Sequence, residues 1–422
     1  MTRGRGWVPV RAALFLLILA GAAIPSCRAA EPERLIGVEK LRPFFLMLAA
    51  LEQNRARGPV RILQIGDSHT ANDSLSGRLR ERLQSRFGAA GRGWLPAGIP
   101  YKYFQPRLVS VSESGWRHLR PSDAEEKPPF GLDAVVAKAA ETDARMTLTS
   151  SDSEGFDRIA VEFVARPGAG PMTIQVDRNP PVRIAMAAAK VMVRRSELLL
   201  PFAGHQVELA AMGSPAEVIG WATERRRKGI VYENHGTVGA TVGLLDKLNP
   251  ATVSFELADR KPALLVVAFG TNEGFRDNLN LSDYAARFRA AVAGLARKGR
   301  GAAILVIGPP DGDRRPGECS GDAACRAEAT ANGDSCTWTV PPKLAEVRAM
   351  QRRIAIRQGW AFWDWAAAMG GSCAMDKWLH QDPSLAMADH VHPSKAGYAA
   401  TADTLFVDLM RAYDESKRAR RR

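Results

Sequence analysis

The sequence predicts an α/β protein, a parallel sheet with helices on both faces, interrupted by an all-β insert. Three observations carry this. Short apolar runs alternate with helical periodicity at 38–106 and again from 229 onward, the rhythm of strand–helix–strand units. Between 107 and 224 that rhythm gives way to short alternating runs separated by Gly, Pro, Asp and Asn, the texture of an antiparallel sandwich. The apolar runs of the α/β parts end in polar or Gly-rich turns, where such sheets place their ligands.

Taken in order, Leu41, Phe44, Phe45, Leu48 and Leu51 recur at helical spacing across 38–57. The run 60–65 is short, β-branched at both ends and bounded by Gly, which reads as a buried strand. Asn72 and Asp73 are N-cap candidates for a helix carrying Leu75, Leu79, Leu83 and Phe87 on one face and stopping at Gly88. Strands are then expected at 108–111, 146–148, 159–163, 172–176, 191–193, 198–202 and 207–209. The α/β pattern resumes with strands at 229–234, 264–269, 304–307 and 361–363. Helices are expected from Ser282 or Asp283 to about Lys298, from Leu344 to Gln358, and after His392-Pro393-Ser394 to about Arg411.

A chain of 422 residues is too long for one compact core and points to two domains or one domain with a large insert. Its first 30 residues read as a secretory signal peptide: Arg3, Arg5 and Arg11 precede the apolar run 12–24, too short to span a bilayer comfortably. Cleavage is expected after Ala29 or Ala30. Cys27 stands where a lipoprotein would carry its lipidated cysteine, but Pro25 fits that pattern poorly. Cleavage leaves Cys319, Cys325, Cys336 and Cys373, an even set in an exported protein, which reads as two disulfides; three pairings are open, with Cys319–Cys325 and Cys336–Cys373 favoured by the short loop of the first. No histidine lies at zinc-ligand spacing among them, and no metal or cofactor is expected. The formal charge of +13 falls to about +9 once Arg3, Arg5, Arg11 and Arg28 are removed. An exported basic protein faces anionic envelope polymers rather than nucleic acid. The run 225–228 and the basic tail 416–422 carry much of the charge, and both read as solvated segments. In the mature protein no stable membrane span is expected.

The first turn is Gly66-Asp67-Ser68, at a strand-to-helix junction that exposes the hydroxyl. The second runs from Asn234 through His235, Gly236, Thr237 and Val238 to Gly239, the third is Gly270-Thr271-Asn272-Glu273, and Asp389-His390-Val391-His392 precedes the last helix. A serine hydroxyl is a poor nucleophile at neutral pH; it needs a histidine base, which needs a carboxylate to fix its tautomer. Asp389 and His392, three apart, can set the carboxylate against one imidazole nitrogen and leave the other for Ser68, while His390 would point elsewhere. Donors to an oxyanion would be the N–H groups of Ser68 and Gly239 and the side-chain amide of Asn272. Each residue alone has a plain structural reading as turn, cap or surface group; their occurrence in this order, each after a strand, does not.

Those residues, Gly66-Asp67-Ser68, Gly239, Gly270-Thr271-Asn272 and Asp389 to Pro393, resemble the four sequence blocks of the SGNH (GDSL-type) hydrolases. The resemblance implies a three-layer α/β/α, flavodoxin-like fold with Ser68 as nucleophile, Gly239 and Asn272 as oxyanion donors, His392 as base and Asp389 as its orienter. In the third block Glu273 stands where many members have Asp, and Gly236 is a rival to Gly239 in the second. The exported layout, Gly66-Asp67-Ser68-His69-Thr70, Gly270-Thr271-Asn272-Glu273 and the β-rich insert are similar to the bacterial peptidoglycan O-acetylesterases. That likeness implies hydrolase parts at 31–106 and 225–415, a carbohydrate-binding-module-like insert at 107–224, and removal of acetyl from the C6 hydroxyl of N-acetylmuramic acid in the periplasm or outside the cell. Trp94, Trp116 and Trp221 are candidate glycan platforms, although such aromatics are more often core. The same triad would serve an acetyltransferase or lipid esterase, and a glycan-binding protein with an idle hydrolase core is the alternative of a different class.

Overall fold

A central sheet sets the frame. Its strands lie in the spatial order Leu35–Ile36, Ala361–Trp363, Ala303–Ile307, Leu264–Ala268, Val60–Gly66, Ile230–Gly236. All pair in parallel except Leu35–Ile36, which is antiparallel to its neighbour. Numbered along the chain, the parallel strands run 2-1-3-4-5, the flavodoxin-like order, whose direction of winding reverses at the strand Val60–Gly66. These observations come from a computed structural model that describes residues 1–2, 33–122, 127–213, 215–314 and 338–419. The expected leader, Cys319, Cys325 and Cys336 with their pairing, and the end of the basic tail lie outside the described residues.

Neighbouring residues of a strand point to opposite faces, and both faces are covered. On one, Phe44, Leu48, Leu75, Leu79, Leu83, Leu405, Leu409 and Tyr413 from the helices Arg42–Glu52, Ser74–Phe87 and Lys395–Ala419 pack on Ile62, Val266 and Leu305. On the other, Leu257, Phe288, Val292, Val347 and Ile354 from Pro250–Arg260, Leu281–Lys298 and Pro342–Gln358 pack on Leu63, Ile65, Leu265, Val267 and Val306. Burial on both sides is why these strands read as unbroken apolar runs. The helix expected over 38–57 is shorter, a 3₁₀ turn and then Arg42–Glu52, and the last one runs on to Ala419. Asn280, rather than Ser282 or Asp283, caps its helix, its side chain accepting from both of their amides.

Between the first two parallel strands the chain builds two antiparallel sheets. One has the order Val182–Ile184, Met172–Val176, Gln206–Ala211, Arg145–Ser150, Val109–Ser114; the other Met192–Gly204, Phe156–Ala165, Glu217–Glu224, Val136–Ala139, Trp116–Leu119. Met146, Leu148, Ile174, Val207 and Leu209 from the first share a core with Ile159, Val161, Val218 and Trp221 from the second. Pairing starts earlier than the texture suggested: Gly91–Pro96 lies antiparallel on Glu217–Glu224, with Gly91 and Gly93 at positive φ and so close to Glu224 and Val231 that a Cβ would stand 2.5 Å and 2.7 Å from them. The second sheet also covers the α/β part, since Trp94, Leu132, Ala160, Ile219 and Ala222 belong to the same apolar cluster as Leu63 and Leu257. Buried ion pairs cross this seam, Arg61 with Glu224 at 2.5 Å and Arg260 with Glu162 at 3.2 Å.

Asp73 was expected as a backbone cap; its carboxylate turns instead to charge. It accepts from Arg80 at 2.8 Å, Arg92 at 3.1 Å, the Ser76 hydroxyl at 2.7 Å and the Arg107 amide at 2.9 Å. Burial alone would raise this carboxyl, but the two guanidinium groups outweigh it and hold it well below the usual carboxylate range. Removing one partner of a buried pair leaves the others unpaired, so Asp73→Ala is expected to lower the unfolding free energy by about 3–5 kcal/mol in urea titrations at neutral pH. Because the folded-state pKa is depressed, this contribution is present above about pH 4 and lost as pH falls further, so the gap between wild type and variant should close in acid.

Candidate active site

The register of the sheet brings the turns to one level. Gly66 is level with Gly236 on one side and with Ala268 on the other. Ser68, the loop after Gly236 and the loop Gly270–Asn272 therefore leave the carboxyl edge together, at the point where the winding reverses. Ser68 opens a single helical turn, Ser68–Ala71, whose start is fixed by Asp67: its buried carboxylate accepts from the His69 amide at 3.0 Å. Burial pushes the Asp67 carboxyl up to about 7. Inside the core, Tyr232 donates to Gln64 at 2.7 Å and Gln64 donates to the Thr70 hydroxyl at 2.9 Å, tying the turn to the strand beneath.

The fourth block meets the first. The Ser68 hydroxyl donates to Nε2 of His392 at 2.9 Å, and Nδ1–H of His392 donates to Oδ2 of Asp389 at 2.8 Å. Asp389 also accepts from the amides of Val391 at 3.0 Å and His392 at 2.9 Å. Partial burial raises its carboxyl, but the hydrogen bonds from His392 and these amides prevail and keep it ionised, far below the usual range. With the carboxylate on Nδ1, the imidazole presents the lone pair of Nε2 to the serine. The loop is braced from behind: His392 accepts from the Met387 amide and His390 from the Asp313 amide, both at 2.8 Å. His390 indeed points away, stacked on Trp338 with ring centroids 3.7 Å apart.

Gly239 is exposed, with φ +71° and open space where a side chain would stand. Gly236 differs: a Cβ there would come within 2.0 Å of the Ala71 backbone, so its bareness serves close packing. The side-chain amide of Asn272 donates to the Ala240 carbonyl at 2.8 Å, and an amide nitrogen carries a second hydrogen. Glu273 is buried; it accepts from the Val242 amide at 2.7 Å and so holds the loop that carries Gly239.

Two side chains near this cluster were not legible in the sequence. His69 is buried with its ring 5.0 Å from that of His392, its Nδ1 hydrogen-bonded to the Tyr398 hydroxyl at 2.9 Å. Burial holds its pKa well below the ordinary histidine value, so it is a neutral wall. His235 lies beneath the second loop, 2.9 Å from Asp133 and 3.6 Å from Glu233. Burial would lower its pKa, but the two carboxylates raise it to about 9. The other carboxylate oxygen of Asp133 takes the indole N–H of Trp94. Trp94 and Trp221 are fully buried, so neither is a glycan platform, and Trp116 packs against the sandwich core. Among the described residues no group of three or more His, Cys, Asp or Glu is placed to hold a metal ion, and no helix is long and apolar enough to cross a membrane.

The hydrogen-bonded Ser68, His392 and Asp389 at the carboxyl edge of a parallel sheet are the arrangement of an α/β serine hydrolase, and comparison narrows it. Residues 205–400 match the model of the GDSL-like Lipase/Acylhydrolase family, a span that holds Gly239, Asn272, Asp389 and His392 and leaves out Ser68, which the insert separates from the rest. The chain is similar in structure to a peptidoglycan O-acetylesterase, at 28% identity over 88% of this chain and 96% of that one, with a TM-score of 0.72. More distant likenesses are to the protein YXIM of Bacillus subtilis (11% identity, 71% and 90% covered, TM-score 0.33) and to a family two carbohydrate esterase of Clostridium thermocellum (12%, 70% and 98%, TM-score 0.30). Among curated proteins no sequence match is found. The match over 205–400 and the structural likeness support an SGNH (GDSL-type) esterase, similar in structure to a peptidoglycan O-acetylesterase.

The raised pKa of His235 ties stability to pH. The imidazolium contributes fully below about pH 6.5 and its contribution is lost as pH rises through about 9. Unfolding free energies measured across that window are expected to decline, and His235→Gln to flatten the decline; an unchanged slope would contradict a charged His235.

Proposed function

We propose that the protein is an exported serine esterase that removes O-acetyl groups from envelope polysaccharide, with peptidoglycan acetylated at C6 of N-acetylmuramic acid as substrate. The observation that carries this reading is the hydrogen-bonded series from Ser68 through His392 to Asp389. Ser68 attacks the acetyl carbonyl as His392 takes its proton. The oxyanion forms against the N–H groups of Ser68 and Gly239 and the amide of Asn272. His392 then returns the proton to the departing sugar oxygen, leaving acetyl on Ser68, and next activates a water that releases acetate. Every proton and bond in this cycle belongs to substrate, water or these side chains.

The substrate assignment is supported by the likeness to a peptidoglycan O-acetylesterase and by the basic charge of the mature chain. The basic n-region with its apolar run, and the even set of cysteines left after cleavage, support a periplasmic or secreted location and two disulfides. In this reading 31–106 and 225–415 form the hydrolase and 107–224 a carbohydrate-binding-module-like insert.

Acetate release from acetylated peptidoglycan, xylan and chitin oligomers, measured in parallel, tests it. Peptidoglycan is expected to be preferred and Ser68→Ala to be inactive; retention of wild-type release by that variant would overturn the mechanism, and acetyl transfer to a glycan hydroxyl in place of acetate release would make the enzyme a transferase. Asn272→Ala is expected to lower kcat about 10²–10³-fold with little change in KM, as read from steady-state kinetics.

A further inference from the structure

A cavity of about 380 Å³ adjoins the nucleophile turn. One wall comes from the catalytic edge: Ala71, which closes the turn that Ser68 opens, and Asn234, Thr237 and Val238, which lead into Gly239. The stretch that follows Gly91–Pro96 also lines it, with Tyr101 and Phe104. Their rings meet edge to face, with centroids 5.4 Å apart and planes at 81°. Both are half-buried and both line the cavity.

This wall is held in place. The Tyr101 hydroxyl donates to the Ala71 carbonyl at 2.6 Å, a direct tether to the nucleophile turn. The Ile99 amide donates to Glu113 at 3.0 Å, Arg120 donates to the Pro100 carbonyl, and the Phe104 amide donates to the Tyr101 carbonyl at 3.0 Å. An aromatic pair fixed in this way loses little conformational entropy when a ligand settles on it. The cavity falls in the size range of small-ligand sites, and it combines apolar ring surface with the polar side chains of Asn234 and Thr237. A pyranose ring matches that mixture, with apolar C–H faces and a polar rim of hydroxyls. The buried Trp94 and Trp221 cannot supply such a surface, whereas Tyr101 and Phe104 line the cavity.

We infer that this cavity is a saccharide subsite that takes the sugar next to the acetylated one, so that the substrate is an acetylated oligomer rather than a single sugar. The inference rests on the esterase reading above and extends it from the acetyl group to the neighbouring unit of the polymer. Binding energy from that unit, remote from the reacting carbonyl, orients the ester over Ser68.

The test compares three acetyl donors with the full-length mature protein: a chromogenic acetate ester, O-acetylated N-acetylmuramic acid as a single sugar and O-acetylated peptidoglycan fragments of several disaccharides. Wild type is expected to show higher kcat/KM on the longer fragments than on the single sugar. Phe104→Ala and the gentler Phe104→Leu should lower kcat/KM for the longer fragments about tenfold or more relative to the value for the chromogenic ester, chiefly through KM. Equal losses on all three donors, or no loss on the fragments, would overturn the subsite. A wild type that hydrolyses the chromogenic ester yet releases acetate from no glycan would show instead that the polysaccharide reading is wrong, and the subsite with it.

Discussion

The hydrogen bond between the Ser68 hydroxyl and His392 joins residues 324 apart in the chain, and the rest of the molecule exists to make it short. A single such bond is worth about 0.5–1.5 kcal/mol net, far too little to draw the two ends together. What places His392 is the docking of the helix Lys395–Ala419. Leu405, Leu409 and Tyr413 are buried against the sheet, each contributing about 1.5–3 kcal/mol by removal from water. Asp408 adds a two-pronged pair with Arg34 and accepts from the Trp363 indole at 2.9 Å. The serine is fixed from the other side by the parallel register of Gly66 with Gly236 and Ala268. Packing does the placing, and the hydrogen bond reports that it has succeeded.

Electrostatics then gives each group near the reaction its role. Asp389 is kept ionised by the hydrogen bonds it accepts, while His69, a ring's width from His392, is kept neutral by burial. A neutral neighbour lets His392 take on charge without facing another cation. The buried His235, by contrast, is held charged between Asp133 and Glu233. Asp133 comes from the antiparallel part and Glu233 from the central sheet, so the insert is fastened by charge to the strand that leads into Gly239. That fastening holds the antiparallel part against the strand that carries Glu233 and His235.

The architecture was largely legible in the sequence. Strands at 60–65, 264–269, 304–307 and 361–363 announced themselves as apolar runs because both faces of a parallel sheet are dry. The strand Glu217–Glu224 hid itself for a related reason: fully buried in a central position, it mixes Glu, Gly and Thr with apolar residues, and its glutamates are satisfied by arginines elsewhere in the chain. Gly91–Pro96 carried no strand signal, since Gly91 and Gly93 are turn residues until a partner strand comes close. Among the residues of the site, Ser68, Gly239 and Asn272 could be named because each sits in the turn after a strand, and Asp389 and His392 because they stand three apart just before the last helix. Tyr101 and Phe104 could not, because nothing local in a sequence says which loop a sandwich will lay against a neighbouring turn. The same holds for Asp73, whose preference for two distant guanidinium groups over a nearby amide depends on tertiary contact.

The central claim is that acetyl passes through Ser68. Protein quenched in acid during turnover of O-acetylated peptidoglycan and mapped by peptide mass spectrometry tests it most directly. The account expects a single acetyl group, located on Ser68 and absent from protein incubated without substrate. Steady acetate release with Ser68 never modified, or acetyl found on a different side chain, would contradict it.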